Sequence, residues 1–120
     1  MANKNVKILT ADDSAFMRKV LIDILNEAGY SNIIEAENGK QALEKFNAEN
    51  PELVLLDIVM PEIDGMETLK QIGRKTKVVM ISAVGQESIM NDAKANGALG
   101  YIVKPFDKEK VIEEINRVVG

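Results

Sequence analysis

Leu53-Val54-Leu55-Leu56-Asp57 is the stretch that decides the fold, an unbroken apolar run that ends in a carboxylate. A run of this length without polar residues is typical of a strand covered on both faces, as in a parallel sheet. Pro61 and Gly65 follow within a few residues and indicate a turn before the next helix. Because open parallel sheets bind ligands just outside the carboxyl ends of their strands, Asp57 is predicted to lie at a ligand site.

A second pair of acids, Asp12 and Asp13, closes the first apolar run, residues 6–11. If both runs belong to one sheet, three carboxylates converge at its edge, and adjacent carboxylates repel each other unless a cation compensates them. Mg²⁺ takes oxygen ligands, typically one or two carboxylates with waters and phosphate oxygens. The pattern predicts a site for a hard cation and a phosphoryl group, with capping of the next helix by Asp13 or Ser14 as the alternative.

Short apolar runs alternate with amphipathic segments along the whole chain. The runs predicted to be strands are residues 6–11, 33–37, 53–57, 78–82 and 101–103. The segments predicted to be helices are residues 16–25, 40–50, 66–73, 86–96 and 107–119. In the first of these helices Arg18, Lys19 and Asp23 stand between the apolar positions, as on the polar face of an amphipathic helix.

Five repeats of strand and helix predict an α/β fold, a flavodoxin-like (βα)5 doubly wound parallel five-stranded sheet with strand order 2-1-3-4-5. In that order strands 1 and 3, which carry the acids, flank the point where ligands bind. The chain has 120 residues and no linker or low-complexity stretch, so residues 1–120 are expected to form a single domain.

Two further strand ends carry groups that suit a phosphate. Ser82 ends the fourth strand, where a serine is ordinarily a turn or capping residue but can also bond to a phosphoryl oxygen. Lys104 ends the fifth strand, where an ammonium can neutralise carboxylates and hold a phosphate as a point charge. The Lys104-Pro105 bond lies in a sharp turn, a setting that raises the chance of a cis peptide. Five positions at four strand ends therefore point to one site.

The composition excludes several classes of chemistry. The chain has no cysteine and no histidine, which excludes disulfides, zinc-thiolate sites and Ser-His-Asp catalysis. Its 15 basic and 19 acidic residues give a net charge of −4, so nucleic acid is not an expected partner. No apolar run approaches the ~18 residues of a membrane span and no signal peptide is evident, so we expect a cytoplasmic protein without membrane insertion.

Several motifs make the chain resemble a response-regulator receiver domain. The residues that carry the resemblance are Asp12-Asp13, Asp57, Met60-Pro61, Asp64-Gly65, Ser82-Ala83 and Lys104-Pro105-Phe106. The likeness covers essentially all 120 residues and implies a single receiver domain with no output domain. Two stretches are similar to the stand-alone chemotaxis receivers of the CheY type, namely Asp13-Ser14-Ala15-Phe16-Met17-Arg18 and Ser82-Ala83-Val84-Gly85-Gln86.

The resemblance implies a role for each residue of the site. Asp57 would accept a phosphoryl group from the phosphohistidine of a sensor kinase. Mg²⁺, or Mn²⁺ in its place, would be held by Asp12, Asp13, Asp57 and the backbone carbonyl of Val59. The phosphoryl oxygens would be contacted by Ser82, the backbone of Ala83 and Lys104. Ser82 and Tyr101 would act as the switch, the tyrosine turning inward as the serine moves toward the phosphate.

The resemblance also implies the partners. They are a sensor histidine kinase of the CheA type, a motor switch protein or an adaptor to a motor, and a phosphatase as a further candidate. The protein would be a monomer, and its chemistry would be limited to self-catalysed phosphoryl uptake and autodephosphorylation.

The chain departs from the family pattern at two places. Ser82 replaces the commoner threonine, and the segment 71–77 is a few residues shorter than usual.

Three rival functions remain. A Mg²⁺-dependent phosphatase with an aspartyl nucleophile would require a second acid two residues after Asp57, where Val59 stands. A flavin-binding module would need a phosphate loop in place of Asp12-Asp13. A module that acts through protein contacts alone, without phosphorylation, is the third.

Overall fold

The computed structural model describes residues 4–83 and 87–120. The strands are β1 (Ile8–Ala11), β2 (Ile33–Ala36), β3 (Leu53–Asp57), β4 (Lys77–Ala83) and β5 (Gly100–Lys104). The helices are α1 (Ala15–Glu27), α2 (Gly39–Glu49), α3 (Gly65–Ile72), α4 (Glu87–Ala95) and α5 (Lys108–Val119). The strands form one parallel sheet in the order β2-β1-β3-β4-β5, which confirms the predicted flavodoxin-like topology.

Strand β3 is buried along its whole length because the sheet has a hydrophobic core on each face. Val54 and Leu56 belong to the core beneath α2, α3 and α4, whereas Leu53 and Leu55 belong to the core beneath α1 and α5. Side chains alternate between the two faces of a strand, so both faces of β3 need apolar residues. The unbroken apolar run follows from this position at the centre of the sheet.

Side-chain caps set the start of four helices in the described part of the chain. The capping residues are Ser14, Asn38, Asp64 and Asp107, each accepting a hydrogen bond from a backbone N–H in the first turn. Ser14 therefore caps α1, and Asp13 does not. None of the helices in the described ranges has the length and apolarity needed to cross a membrane.

The element bounds differ from the predicted ones by one or two residues at most ends. Strand β1 begins two residues later than predicted, whereas β4 and β5 are each one residue longer at both ends. Helix α4 ends at Ala95, one residue earlier than predicted. Its predicted first residue, Gln86, and the other two residues of the segment 84–86 lie outside the described residues.

The outer side of β5 is covered by two side chains of α5. Glu114 Oε2 accepts a hydrogen bond from the N–H of Tyr101 at 3.0 Å, and Arg117 Nη2 donates to the carbonyl of Leu99 at 2.8 Å. Arg117 Nε also donates to Glu114 Oε1 at 2.8 Å, and this bond holds the pKa of the Glu114 carboxyl below its usual value. Gly100 lies directly beneath the pair, where a side chain would collide with both of them.

Candidate functional site

Three carboxylates meet at the carboxyl end of the sheet. β1 and β3 are adjacent and parallel, with Ala11 opposite Leu56, so Asp12 and Asp57 emerge at the same edge. Asp12 and Asp57 are buried, whereas Asp13 is exposed. One oxygen from each of the three side chains lies within 4.8 Å of the others. The structure therefore brings together the three acids singled out in the sequence.

Asp12 is held in place on several sides. Its N–H donates to the carbonyl of Ala36 at 3.1 Å, and its Oδ1 accepts a hydrogen bond from the N–H of Ser14 at 2.9 Å. Its Oδ2 lies 2.9 Å from Lys104 Nζ as an ion pair, but among the described residues it accepts no hydrogen bond of good alignment. A buried carboxylate oxygen with spare acceptor capacity is suited to a cation.

Asp57 shares the ammonium of Lys104. Lys104 Nζ lies 2.7 Å from Asp57 Oδ2, and the N–H of Val59 donates to Asp57 Oδ1 at 3.1 Å. Burial raises the pKa of the Asp57 carboxyl; the bond from Lys104 opposes this shift, and the charge of Asp12 adds to it. Burial by itself would lower the pKa of Lys104, but the hydrogen bond to Asp57 and the negative charges of Asp57 and Asp12 raise it. One cation thus compensates two buried anions.

The donor set fits Mg²⁺. Hard cations of this size bind carboxylate oxygens and keep several waters, and the exposed Asp13 leaves one side of the cluster open to solvent. The three carboxylates outnumber the single ammonium, so the cluster retains negative charge for a divalent ion. Asp12, Asp13 and Asp57 are the residues that could hold the ion.

The remaining predicted site residues lie around this cluster. Ser82 is buried near the end of β4, and Ala83, the last residue of that strand, is opposite Lys104 in the register. Val59, which follows β3 after Ile58, is largely exposed. The Lys104–Pro105 peptide bond is cis. The roles of Ser82, Ala83 and the Val59 carbonyl toward a phosphoryl group or metal stay predictions.

Tyr101, the predicted switch residue, lies on β5 with about half of its side chain accessible. Its exposed fraction is 45%. The side chain is therefore outside the core. Its inward turn stays a prediction.

The sequence pattern does not predict the contacts of two residues at the site. The pattern places Arg18 on the polar face of the first helix, but its side chain is buried and Nη1 donates to the carbonyl of Asp12. The short stretch of sequence between the acid pair and Arg18 is a signal that could have found it. The pattern predicts a turn residue at Gly65, but its Cα packs against the backbone of Asp57. No single-sequence signal distinguishes such a close approach from an ordinary turn glycine.

Removing the ammonium should destabilise the metal-free protein in a pH-dependent way. We expect Lys104→Met to lower the free energy of unfolding by about 2 kcal/mol near pH 7, because two buried carboxylates lose their shared cation. The folded-state pKa of Asp57 is already raised and should rise further, so acid protonates the folded form first and stabilises it. The loss should therefore shrink toward about pH 5, as urea unfolding at both pH values can measure.

Lys110→Met is the matched control for this prediction. Lys110 is exposed on α5, so the same change there should shift the unfolding free energy by only a few tenths of a kcal/mol at either pH. An equal loss at both pH values in Lys104→Met would contradict the electrostatic explanation.

The chain is similar to known proteins in sequence and in structure. The family description "Response regulator receiver domain" matches residues 8–116. The chain is 47% identical over 117 residues to the chemotaxis protein CheY of Bacillus subtilis, covering 95% of this chain and 98% of that protein. It is 41% identical over 115 residues to CheY of Thermotoga maritima, covering 93% and 96% of the two chains. The solved structure of the chemotaxis response regulator CheY4 of Vibrio cholerae has a TM-score of 0.86 at 29% identity, covering 95% of this chain and 98% of that one.

Proposed function

Because the chain belongs to the response regulator receiver family, we propose that it is a two-component signalling protein that is activated when Asp57 is phosphorylated. The observation that carries this proposal is the buried carboxylate of Asp57, which shares the Lys104 ammonium with Asp12 at the edge of the sheet. Phosphoryl transfer needs positioning and charge neutralisation more than it needs acid–base groups. A chain with no histidine can therefore accept a phosphoryl group that its partner supplies.

The proposed step is attack by a carboxylate oxygen of Asp57 on the phosphorus of the donor. A P–O bond to Asp57 forms as the donor's bond to phosphorus breaks, and the donor's leaving group departs with the electron pair of that bond. The N–H of Val59 fixes Oδ1 of the nucleophile, and Lys104 neutralises charge beside Oδ2. A Mg²⁺ ion held by Asp12, Asp13 and Asp57, with the carbonyl of Val59, would neutralise charge on the phosphoryl oxygens when bound.

Phosphorylation would change the charge and the hydrogen bonding at the end of β4. It replaces one carboxylate charge by a group of about −1.5 to −2 with new acceptor oxygens. The hydroxyl of Ser82 and the N–H of Ala83 are the donors proposed to bind these oxygens, and Tyr101 turns inward as Ser82 moves. Couplings of this kind are typically ~1–3 kcal/mol, so we expect a partial shift of population at the surface around α4, β5 and α5.

The names of the relatives support a role in chemotaxis. The relatives from Bacillus subtilis and Thermotoga maritima, at 47% and 41% identity, are both named chemotaxis proteins. The proposed upstream partner is a sensor histidine kinase of the CheA type, and the proposed target is a motor switch protein or an adaptor to a motor. A phosphatase is a further proposed partner, and the protein would act as a cytoplasmic monomer that turns over no substrate besides its own phosphoryl group.

Intact-mass spectrometry tests the proposal. After incubation with Mg²⁺ and acetyl phosphate we expect the mass of one added phosphoryl group per chain, and no addition when a chelator removes the metal. The adduct should disappear with time after the donor is removed. Absence of the adduct with acetyl phosphate and with a cognate histidine kinase would contradict phosphorylation. Sustained hydrolysis of unrelated phosphate esters would instead favour the phosphatase alternative.

A further inference from the structure

We propose that Arg18 is a positioning residue that holds the β1–α1 turn so that Asp12 and Asp13 can bind a divalent cation. This inference deepens the proposed function and rests on its metal site. Arg18 lies in the second turn of α1, and only 8% of its side chain is accessible to solvent. A buried arginine is rare unless every part of its guanidinium group has a partner.

The guanidinium group of Arg18 bridges two segments. Nη1 donates to the backbone carbonyl of Asp12, and Nε donates to Glu35 Oε1 at 2.9 Å. Nη2 lies 3.9 Å from Glu37 Oε1 as a weaker ion pair. Glu35 and Glu37 lie at the end of β2 and are more than half exposed, so they provide counter-charge from the solvent side.

The contact with the Asp12 carbonyl controls more than one carboxylate. This carbonyl belongs to the peptide that joins Asp12 to Asp13, so its orientation determines where both side chains leave the backbone. The N–H of Asp12 is separately bonded to Ala36 of the β2 end. Arg18 therefore holds Asp12 at its carbonyl, and Ser14 holds Oδ1. Oδ2, which is paired with Lys104 Nζ but accepts no hydrogen bond of good alignment among the described residues, keeps acceptor capacity for a metal ion.

Charge alone predicts the opposite effect of Arg18 on the metal. A cation near three carboxylates repels a divalent ion, so its removal should tighten binding if only Coulomb interactions mattered. If Arg18 acts by positioning, its removal should weaken binding, because groups that orient ligands typically contribute a factor of 10–100 to metal affinity. The sign of the change therefore separates the two explanations.

The test is a titration of the whole chain with Mg²⁺ by calorimetry and with Mn²⁺ by electron paramagnetic resonance, without any phosphodonor. We expect Arg18→Met to weaken binding of both ions about tenfold. Arg18→Lys keeps the charge but lacks the planar fork that reaches two acceptors, so its loss should be of similar size. Glu35→Gln removes the negative charge that pairs with Arg18 Nε and should weaken binding of the metal ions about two- to threefold. Urea unfolding would establish that each variant is folded under the titration conditions.

Lys19→Met is the matched control. Lys19 is exposed on the next position of α1 and pairs with Asp23, so its loss removes one positive charge without touching the turn. Its metal affinity should stay within twofold of wild type. Binding in Arg18→Met or in Arg18→Lys as tight as in wild type, or tighter, would overturn the inference, and Arg18→Lys decides the matter if Arg18→Met does not fold. Because no phosphodonor is used, the result is independent of whether Asp57 is phosphorylated.

A kinetic readout separates positioning of the metal from general damage to the fold. At saturating Mg²⁺ the rate of phosphoryl uptake from acetyl phosphate in Arg18→Met should return to within about threefold of wild type, while the Mg²⁺ concentration giving half the maximal rate rises about tenfold. A lower rate at saturation with an unchanged Mg²⁺ requirement would contradict the proposal.

Discussion

Asp57→Asn should abolish phosphoryl uptake entirely, with no adduct detectable by intact mass after incubation with Mg²⁺ and acetyl phosphate. The amide has nearly the same shape as the carboxylate but offers no anionic oxygen to attack phosphorus. The change also removes one of the three acids that could hold the metal. Both effects act on the same step, so we expect complete loss rather than slower uptake.

The loss in Asp57→Asn should not come from unfolding. Burial raises the pKa of the Asp57 carboxyl, which means that its ionised form opposes the folded state in the absence of metal. A neutral amide avoids that cost, so near pH 7 the variant should resist urea at least as well as the metal-free wild type. A strongly destabilised variant would contradict this account of the carboxylate.

Asp64→Asn is the matched control for the phosphoryl experiment. Asp64 lies seven residues beyond Asp57 and caps α3 through a hydrogen bond from the N–H of Glu67 at 2.9 Å. Asparagine caps helices about as well as aspartate, so the same chemical change should preserve both the fold and the adduct. An adduct in Asp57→Asn would show that another residue accepts the phosphoryl group. Loss of the adduct in folded Asp64→Asn would contradict the assignment of the effect to Asp57 alone.

Gly65→Ala should produce the largest loss of stability of the substitutions considered. A Cβ at this position would lie 2.0 Å from the carbonyl oxygen of Asp57 and 2.7 Å from the Cα of Ile58. Both obstacles are backbone atoms of β3 and its turn, and the N–H of Gly65 is bonded to the carbonyl of Ile58 at 2.8 Å. Relief therefore requires α3 to move away from the phosphoacceptor, and we expect a loss of about 3 kcal/mol in urea unfolding.

Gly100→Ala provides the comparison for Gly65→Ala. Its Cβ would also lie close to other atoms, 2.2 Å from Glu114 Oε2 and 2.6 Å from Arg117 Nη2, but these atoms are the far ends of flexible side chains. Rotation of these two side chains relieves the overlap, so the cost should be about 1 kcal/mol or less. Phosphoryl uptake should slow in Gly65→Ala and stay near wild type in Gly100→Ala. Equal stability of the two variants would contradict the packing argument.

The sheet and the acids were predictable because their signals are local. An apolar run bounded by turn residues predicts a buried strand, and an acid at its end lies at the carboxyl edge whatever the details of packing. Asp12, Asp57 and Lys104 could be placed together from topology alone. The same reasoning could not choose between Asp13 and Ser14 as the cap of α1, since both residue types suit that position.

The burial of Arg18 and the need for glycine at position 65 could not be predicted from the sequence alone. Helical periodicity assigns a charged residue to the solvent face by default. Arg18 can be buried because the carbonyl of Asp12 and the carboxylate of Glu35 accept its hydrogen bonds. The need for glycine at position 65 depends on how closely α3 approaches β3, and residue types do not report that distance. Both features arise from packing between two elements, which the pattern of either element alone does not show.

The pair Glu114 and Arg117 has a consequence for how partners can recognise this protein. The outermost strand of a sheet ordinarily offers free backbone groups to which an extended peptide can add as a further strand. At Tyr101 and Leu99 those groups are already taken by α5. A protein that docks beside these two residues therefore meets side chains in place of free backbone groups, among them the half-exposed ring of Tyr101.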